Sequence, residues 1–368
     1  MRAALALAAL LDAGFGEPPA AVHPVVWMGR YIGGAERLVL SPDADHERPP
    51  ITGPLDPRPR AARAVTRSAA GKPLRHPEGR AKDLPSERVG DASLDAQQDG
   101  HIVLGRVIRP AFELGAGVLM VLFGIACSAA ASLIALRLLR RAPWPLRLVG
   151  EAALFKCTFS ARALGAHAAA VQRALEHGDI TQAREAVQQL VSRDTSELDA
   201  AHVASAAIES VAESTLDSIV GPLFWYGLFG VPGAAAYRFV NTADAMVGYR
   251  GRYEYFGKPA ARLDDALNWL PARLSTALLA AAATLTGSDT RGAWATALDQ
   301  HARTASPNAG WPMAAAAGAL GVWLEKPDHY RLGRSREPAA SDISRAVRLM
   351  SAAAVLSVGL ALLVPRRG

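Results

Sequence analysis

Residues 206–273 read AAIESVAESTLDSIVGPLFWYGLFGVPGAAAYRFVNTADAMVGYRGRYEYFGKPAARLDDALNWLPAR, and this stretch decides the fold. It is apolar enough to meet a membrane, yet it sets acids, amides and arginines at helical spacing. As a helix, it places Glu209, Glu213 and Asp217 at i, i+4 and i+8, three carboxylates on one broad face. Like charges stacked this way repel unless a cation or a basic ligand sits among them. The plain alternative is a solvated helix surface. Against it, Ala, Ser, Val and Ile fill the positions between, and no lysine or arginine stands at i±4 to pair the acids. The spacing of Glu209, Glu213 and Asp217 therefore points to chemistry more than to packing.

The same pattern continues downstream. Arg238, Asn241 and Asp244 follow in steps of three, giving base, amide and acid on adjacent turns, and with Tyr249 and Arg250 they resemble the lining of a polar cavity. Asp264, Asp265, Asn268 and Arg273 repeat the theme, although Asp265 also suits a charge placed against a helix N-terminus. Ser306–Pro312, SPNAGWP, is a rigid turn that either starts a helix or presents Ser306, Asn308 and backbone amides to a ligand. Arg193 and Asp194 close an amphipathic segment, where a capping role and a binding role are equally natural. Lys156 lies in an apolar helix. A charge at mid-membrane costs about 2.5–3.5 kcal/mol on insertion scales, so it must face protein, water or ligand. His23, ahead of Pro24, is a weaker signal of the same kind.

Bulk composition agrees with a membrane protein. Of 368 residues, 50% are hydrophobic and only 20% charged, and a chain of that length fits one multi-helix membrane protein as readily as two soluble domains. The net charge of +6 is the usual positive-inside excess and suits anionic substrates. No basic run is interleaved with aromatics, so a nucleic-acid partner is disfavoured. Cys127 and Cys157 form no CxxC pair, which argues against a disulfide framework or structural zinc.

Phe112–Leu136 is the clearest span, long enough for a hydrocarbon layer of about 30 Å. The arginines that follow it (Arg137, Arg140, Arg141, Arg147) outnumber Arg106 and Arg109 before it, which places its C-terminal end in the cytoplasm. Val347–Val364 is a second span. Ile219–Tyr237, with Pro222 and Pro232, reads as a broken or re-entrant helix lining a cavity. The segment HGDITQAREAVQQLVSRDT predicts a water-facing helical hairpin turning at Gly178. The N-terminal MRAALALAALLDAGFG has the look of a signal peptide, but Asp12 interrupts its core and helix-forming sequence follows. No strand alternation is found, and the expected fold is all-α: a polytopic membrane bundle with one amphipathic hairpin and one long loop. Its parts are residues 1–40, an N-terminal helical segment with an HPV motif; residues 41–104, a disordered loop rich in Pro, Arg and Asp; and residues 105–368, the membrane catalytic domain. Gly251–Lys258 is not a P-loop: five residues separate its glycines and Pro259 stands where Ser or Thr should bind magnesium.

Six segments carry a resemblance: LDAGFGEPPAAVHPVVWMGR, VSRDTSELD, AAIESVAESTLDSIVGPLFW, AYRFVNTADAMVGYR, YFGKPAARLDDALNWLPARL and SPNAGWPMAAAAGALGVWL. In order and spacing the chain resembles the adenosylcobinamide-phosphate synthase (CobD/CbiB) family of cobalamin biosynthesis from Leu11 to Leu324. It departs from the family at Glu17, where Asp is usual, at Ser214, where Asn is favoured, and in a longer proline-rich loop. The resemblance implies an integral protein of the bacterial inner membrane, its site facing the cytoplasm, that joins adenosylcobyric acid to (R)-1-amino-2-propanol O-phosphate with consumption of ATP and use of Mg2+. The lipid bilayer and other membrane cobalamin-assembly enzymes are the implied partners. On that reading Glu209, Glu213, Asp217 and Asp244 hold the metal, and Arg238, Arg250 and Arg273 clamp phosphates. Asp264 or Asp265 takes the ammonium proton with Glu213 also catalytic, and Asn241, Asn268 and Asn308 meet the amide-rich corrinoid rim. His23, Arg30, Lys156, Arg193, Asp194, Tyr249 and Ser306 complete the binding set. A corrinoid or anion transporter would also hold acids and broken helices at mid-membrane, but the inverted repeats expected of one are not found. A non-catalytic scaffold leaves the clustered functional groups unexplained.

Overall fold

The computed structural model describes residues 2–19, 21, 23–40 and 92–363, with side chains from Arg109 onward in the second block. Twelve helices are described: α1 Arg2–Phe15, α2 Pro24–Val39, α3 Ala92–Leu139, α4 Trp144–Lys156, α5 Arg162–Glu176, α6 Ile180–Val187, α7 Ala200–Thr215, α8 Gly221–Val247, α9 Lys258–Thr286, α10 Thr290–Gln300, α11 Gly310–Leu320 and α12 Ala340–Leu363. A π-helical turn, Leu216–Val220, joins α7 to α8. The loop expected over 41–104 lies outside the described residues from 41 to 91, and its last part, 92–104, is helical as the first turns of α3.

Among the described residues, three stretches are long and apolar enough to cross a membrane: Arg109–Leu139, Ala200–Val247 and Ala340–Leu363. The protein is an all-α polytopic membrane protein, as its sequence predicts. Its lipid-facing character shows on α3, where Phe112, Leu119, Leu122, Phe123, Ile134 and Leu138 are exposed, while Glu113 is buried and paired with Arg109 at 2.8 Å.

The span at 200–247 is not one rod. Gly230 leaves helical geometry with φ 71°, which glycine adopts without steric cost, and Pro232 follows. Gly221 contacts the Tyr237 hydroxyl, and the Arg238 guanidinium donates to the Asp217 carbonyl. In a straight helix residues 221 and 237 would stand about 24 Å apart, so the second arm of α8 folds back on the first. Leu228 and Phe229 are exposed at the tip. The broken, re-entrant reading of Ile219–Tyr237 is correct, and the two prolines were its signal.

The second arm of α8 packs antiparallel on α3: Gly117 lies against the Phe256 carbonyl, and Gly124 against the ring of Phe239. Small residues let membrane helices approach in this way. Gly124→Val would drive a side chain into the Phe239 ring. It is expected to destabilise the protein by about 1–3 kcal/mol, measured as a lower melting temperature in detergent, with recovery in the Gly124→Val/Phe239→Ala double variant. The antiparallel arrangement also sets the arginine-rich end of α3 toward the Gly230 tip, away from the other end of the α8 arm. The side of the membrane assigned to one end is therefore denied to the other.

The amphipathic hairpin is α5 and α6, turning at Gly178 with φ 73°. One feature is absent from the sequence reading: a short antiparallel hairpin, β1 Leu324–Lys326 and β2 Tyr330–Leu332, with Asp328 at φ 62° in its turn. Three-residue strands are too short for alternation to declare itself. The α1 helix buries Ala4, Leu5 and Ala8 in the main core against α4.

Candidate active site

A cavity of about 550 Å³ opens where α7, the returning arm of α8, the 190–193 segment, α2, the start of α11 and the β-hairpin meet. On α7 and the π turn, Glu209, Ser210, Glu213, Ser214, Asp217 and Ser218 line it. The α8 arm presents Arg238, Asn241, Thr242, Asp244 and Ala245, the i, i+3/i+4, i+7 face of a helix. A π turn is a frequent device at functional sites because it re-aims the residues that follow; here Asp217 and Ser218 both reach the cavity.

Of the residues nominated from sequence, Arg193, Glu209, Glu213, Asp217, Arg238, Asn241, Asp244, Tyr249 and Ser306 line this space. Arg193 is held there by Gln188, whose amide donates to the carbonyls of Val191 and Arg193, and by Thr195, which donates to the Arg184 carbonyl. The Arg193 Nε and Nη2 atoms and Arg238 Nε are buried without hydrogen-bond partners. Buried guanidinium atoms are costly to leave unsatisfied, so these point to an anion. Among the described residues neither Glu213 nor Asp244 has a side-chain hydrogen bond or ion pair within the protein, and Glu213 is exposed to the cavity.

Glu209 is placed differently from the metal-ligand role expected of it. Its Oε1 accepts from Ser205 at 2.7 Å and its Oε2 from Tyr330 at 2.8 Å, with Arg193 at 3.5 Å. Both oxygens are engaged, Oε1 within α7 and Oε2 in a tie to the hairpin. Burial, and then the Glu209 charge, push the Tyr330 hydroxyl well above its ordinary range, so it remains a donor. No group of three or more His, Cys, Asp or Glu side chains able to hold a metal ion occurs among the described residues. Magnesium rarely needs such a cage: one or two carboxylates plus substrate phosphates and water suffice, and Glu213, Asp217 and Asp244 fit that smaller requirement.

Asp264 stands one step back. Its Oδ2 accepts from Asn268 at 2.9 Å and its Oδ1 from Asn241 at 3.4 Å, while Asn268 also reaches Asp217 at 3.4 Å. Burial raises its pKa to about 6 despite those two amide donors, with the neighbouring Asp265 charge adding to the rise. Asp264 and Asn268 thus orient cavity residues; neither lines the cavity. The Asp265 side chain is also outside it, and Asp265 sits in the interior of α9 rather than at its start, so the helix-terminus explanation does not apply.

The remaining nominations lie elsewhere. His23 and Lys156 belong to a buried ion cluster: Lys156 Nζ lies 3.0 Å from Asp12 Oδ1 and 3.0 Å from Glu17 Oε1, and donates to the Phe159 carbonyl at 3.3 Å. His23 Nδ1 accepts from the Val25 amide, which leaves Nε2–H to donate to Glu17 at 3.0 Å. These two residues tie helices together, and neither is among the residues that line the cavity. Arg273 lies over the rings of Trp269 and Trp311 and donates to Asn308, whose amide donates to the Asp265 carbonyl. The Ser306 hydroxyl accepts from the amides of Asn308 and Ala309, so SPNAGWP starts α11, although Ser306 also borders the cavity. Asp194 is exposed in a local turn with Ser196, and Arg30 and Arg250 are exposed and do not line the cavity, although their neighbours Gly29 and Tyr249 do. Sequence reasoning missed Lys326 and Tyr330, which line the cavity from the hairpin.

Fold and site together define a polytopic membrane protein whose re-entrant helix carries one wall of a cavity lined with charges of both signs. The family profile described as CobD/Cbib protein matches residues 98–350. A cobalamin biosynthesis protein CobD of Klebsiella pneumoniae is 34% identical over 361 residues, covering 95% of this chain and 93% of that protein. The CobD protein of Dehalococcoides mccartyi is 52% identical over 191 residues, 52% of this chain and 62% of its own length. A probable CobD protein of Thermococcus kodakarensis is 47% identical over 211 residues, 56% of this chain and 66% of its own. No solved structure matches. The chain belongs to the CobD/CbiB family of cobalamin biosynthesis.

Proposed function

We propose that the protein is an ATP-dependent amide ligase that joins the carboxylate of adenosylcobyric acid to the amine of (R)-1-amino-2-propanol O-phosphate. The observation that carries this reading is the cavity itself, where carboxylates with no hydrogen bond or ion pair among the described residues face buried guanidinium nitrogens that have no hydrogen-bond partner there. Such a lining needs ligands of both signs at once: metal and ammonium for the acids, phosphate for the arginines. Its volume falls within the range of small-ligand sites, about 300–1,000 Å³, so the cavity takes the reacting arm while the macrocycle stays at the mouth.

A carboxylate is a poor electrophile. Attack of its oxygen on the γ-phosphorus of ATP gives an acyl phosphate and ADP; the amine then attacks the carbonyl carbon, phosphate leaves, and the ammonium proton goes to a base. Bound magnesium supplies charge neutralisation at the phosphates. Glu213 and Asp217 would hold it. Asp244, across the cavity and unpaired, takes the proton, and Arg193 and Arg238 hold phosphoryl oxygens. Asp264 is a positioning residue: its charge fixes the amides of Asn241 and Asn268, and through Asn268 the Asp217 carboxylate. ATP is cytoplasmic, so the cavity opens to the cytoplasm and the arginine-rich end of α3 lies on the opposite face of the inner membrane.

The test is to incubate membranes containing the protein with adenosylcobyric acid, aminopropanol phosphate and Mg-ATP, omitting each in turn and following product by mass. Product is expected only from the complete mixture. Corrinoid flux into vesicles without product would favour a transporter, and corrinoid binding without turnover a scaffold. The pH profile tests Asp264. Its carboxyl ionises near pH 6, so kcat/KM is expected to fall as pH drops through 6, about tenfold per unit. Asp264→Asn should lower the plateau and remove that limb. A limb unchanged in the variant would assign it to another group.

A further inference from the structure

The hairpin places a cation in the cavity that the ligase mechanism has not used. Lys326 and Tyr330 are register partners, so their side chains share one face, and both line the cavity; Glu325 and Arg331 pair on the other face at 3.6 Å. The hairpin is fixed over the cavity by two ties to α7. The Glu325 amide donates to Ser205 Oγ at 2.7 Å, and the Tyr330 hydroxyl donates to Glu209 at 2.8 Å.

Lys326 has no ion pair or hydrogen bond from its side chain among the described residues. Arg193, on the same wall, forms one ion pair among the described residues, with Glu209 at 3.5 Å, and both oxygens of that carboxylate already accept hydrogen bonds. Arg193 Nε and Nη2 are buried and unbonded. Glu213 senses both cations electrostatically but forms an ion pair with neither. Two cations therefore line one wall, Arg193 beside a carboxylate whose oxygens are already engaged and Lys326 with no ion pair among the described residues, and the same wall carries a phenol. A planar fork beside a mobile ammonium is a set of donors suited to the oxygens of a phosphoryl group.

We infer that Lys326 and Arg193 form the seat of a phosphoryl group, and that Lys326, delivered by the β-hairpin, is the residue that discriminates a phosphorylated ligand from its unphosphorylated counterpart. The inference rests on the ligase reading only for the identity of the phosphate. Two sources share the chemistry: the ester of aminopropanol phosphate and the polyphosphate of ATP.

The experiment is calorimetric binding to the detergent-solubilised full-length protein, without turnover, using aminopropanol phosphate, unphosphorylated aminopropanol and ATP as separate probes. Lys326→Met is expected to weaken one phosphorylated probe about ten- to a hundredfold, the loss of a charge-assisted hydrogen bond, and to leave aminopropanol unchanged. Lys326→Arg should restore most of the affinity. Selective loss for aminopropanol phosphate assigns the seat to the ester, and selective loss for ATP assigns it to the nucleotide. Unchanged binding of both in Lys326→Met, or equal weakening of aminopropanol, overturns the inference. Because the Lys326 side chain has no hydrogen bond or ion pair among the described residues, the variant should melt at the wild-type temperature. If phosphate binding depends on Lys326 and the wild type forms no amide, the ligase reading fails and the seat stands. If amide forms and Lys326→Met binds normally, the seat alone fails.

Discussion

Replacing Glu213 with Gln is expected to abolish amide synthesis while the protein still inserts and folds. Glu213 projects into the cavity and has no protein partner among the described residues, so an isosteric amide forfeits no hydrogen bond of the fold. What it forfeits is the charge. Magnesium is a hard cation held by few protein carboxylates, and losing one of two should cost at least about 2.7 kcal/mol of transition-state stabilisation, a factor of about 100. Steady-state rates with saturating Mg-ATP, beside melting curves, make the measurement. Near-normal turnover would remove Glu213 from the metal site. Glu209→Gln provides the contrast. Glu209 holds Ser205, Tyr330 and Arg193, so its replacement should lower the melting temperature as well as activity.

The largest effect on stability is expected from Lys156→Met. The lysine is 5% exposed, Asp12 6% and Glu17 16%, so the variant leaves two carboxylates buried with no counter-charge. Breaking a buried pair in this way costs about 3–5 kcal/mol. Asp12 also accepts from the amides of Ala161 and Arg162, both at 3.2 Å, so it caps α5 from α1, and the loss should spread to that junction. Glu17→Gln in the same background removes one orphaned charge and should recover part of the loss. Acid gives an independent readout. Burial tends to raise the Glu17 pKa, but the His23 hydrogen bond and the Lys156 charge outweigh it and bring the value to about 2. A carboxyl depressed from 4.5 contributes stability that is complete above about pH 4.5 and is lost as pH falls toward 2. In Lys156→Met that loss should begin at higher pH. A variant that melts like the wild type would show that the cluster contributes nothing to the fold.

What could be read from the sequence divides by distance along the chain. The acids on α7, the Arg238–Asn241–Asp244 face and the reversal near Pro232 were visible because each depends on residues within a few turns of one another. The Glu209 hydrogen bonds were not legible because its partner Tyr330 is 121 residues away, on strands too short to show a period. Lys156 was recognisable as a buried charge that needs company, but spacing does not reveal that its company is Asp12 and Glu17. Arg273 looked like a phosphate clamp because an arginine beside asparagines reads the same whether it faces a cavity or lies between Trp269 and Trp311. The charge count at the end of α3 compared only two flanks of one helix. It carried no information about the antiparallel packing that sets that end opposite the cavity.

The most direct single measurement follows oxygen. Adenosylcobyric acid labelled with 18O in its free carboxylate is incubated with the protein, aminopropanol phosphate and Mg-ATP, and the released inorganic phosphate is analysed by mass. Activation through an acyl phosphate transfers one labelled oxygen to each phosphate, in step with amide formation, and that is the expected result. Amide formed with unlabelled phosphate, or label appearing in AMP, would contradict the γ-phosphoryl route. ATP hydrolysis with no amide at all would contradict the assignment of the cavity to this reaction.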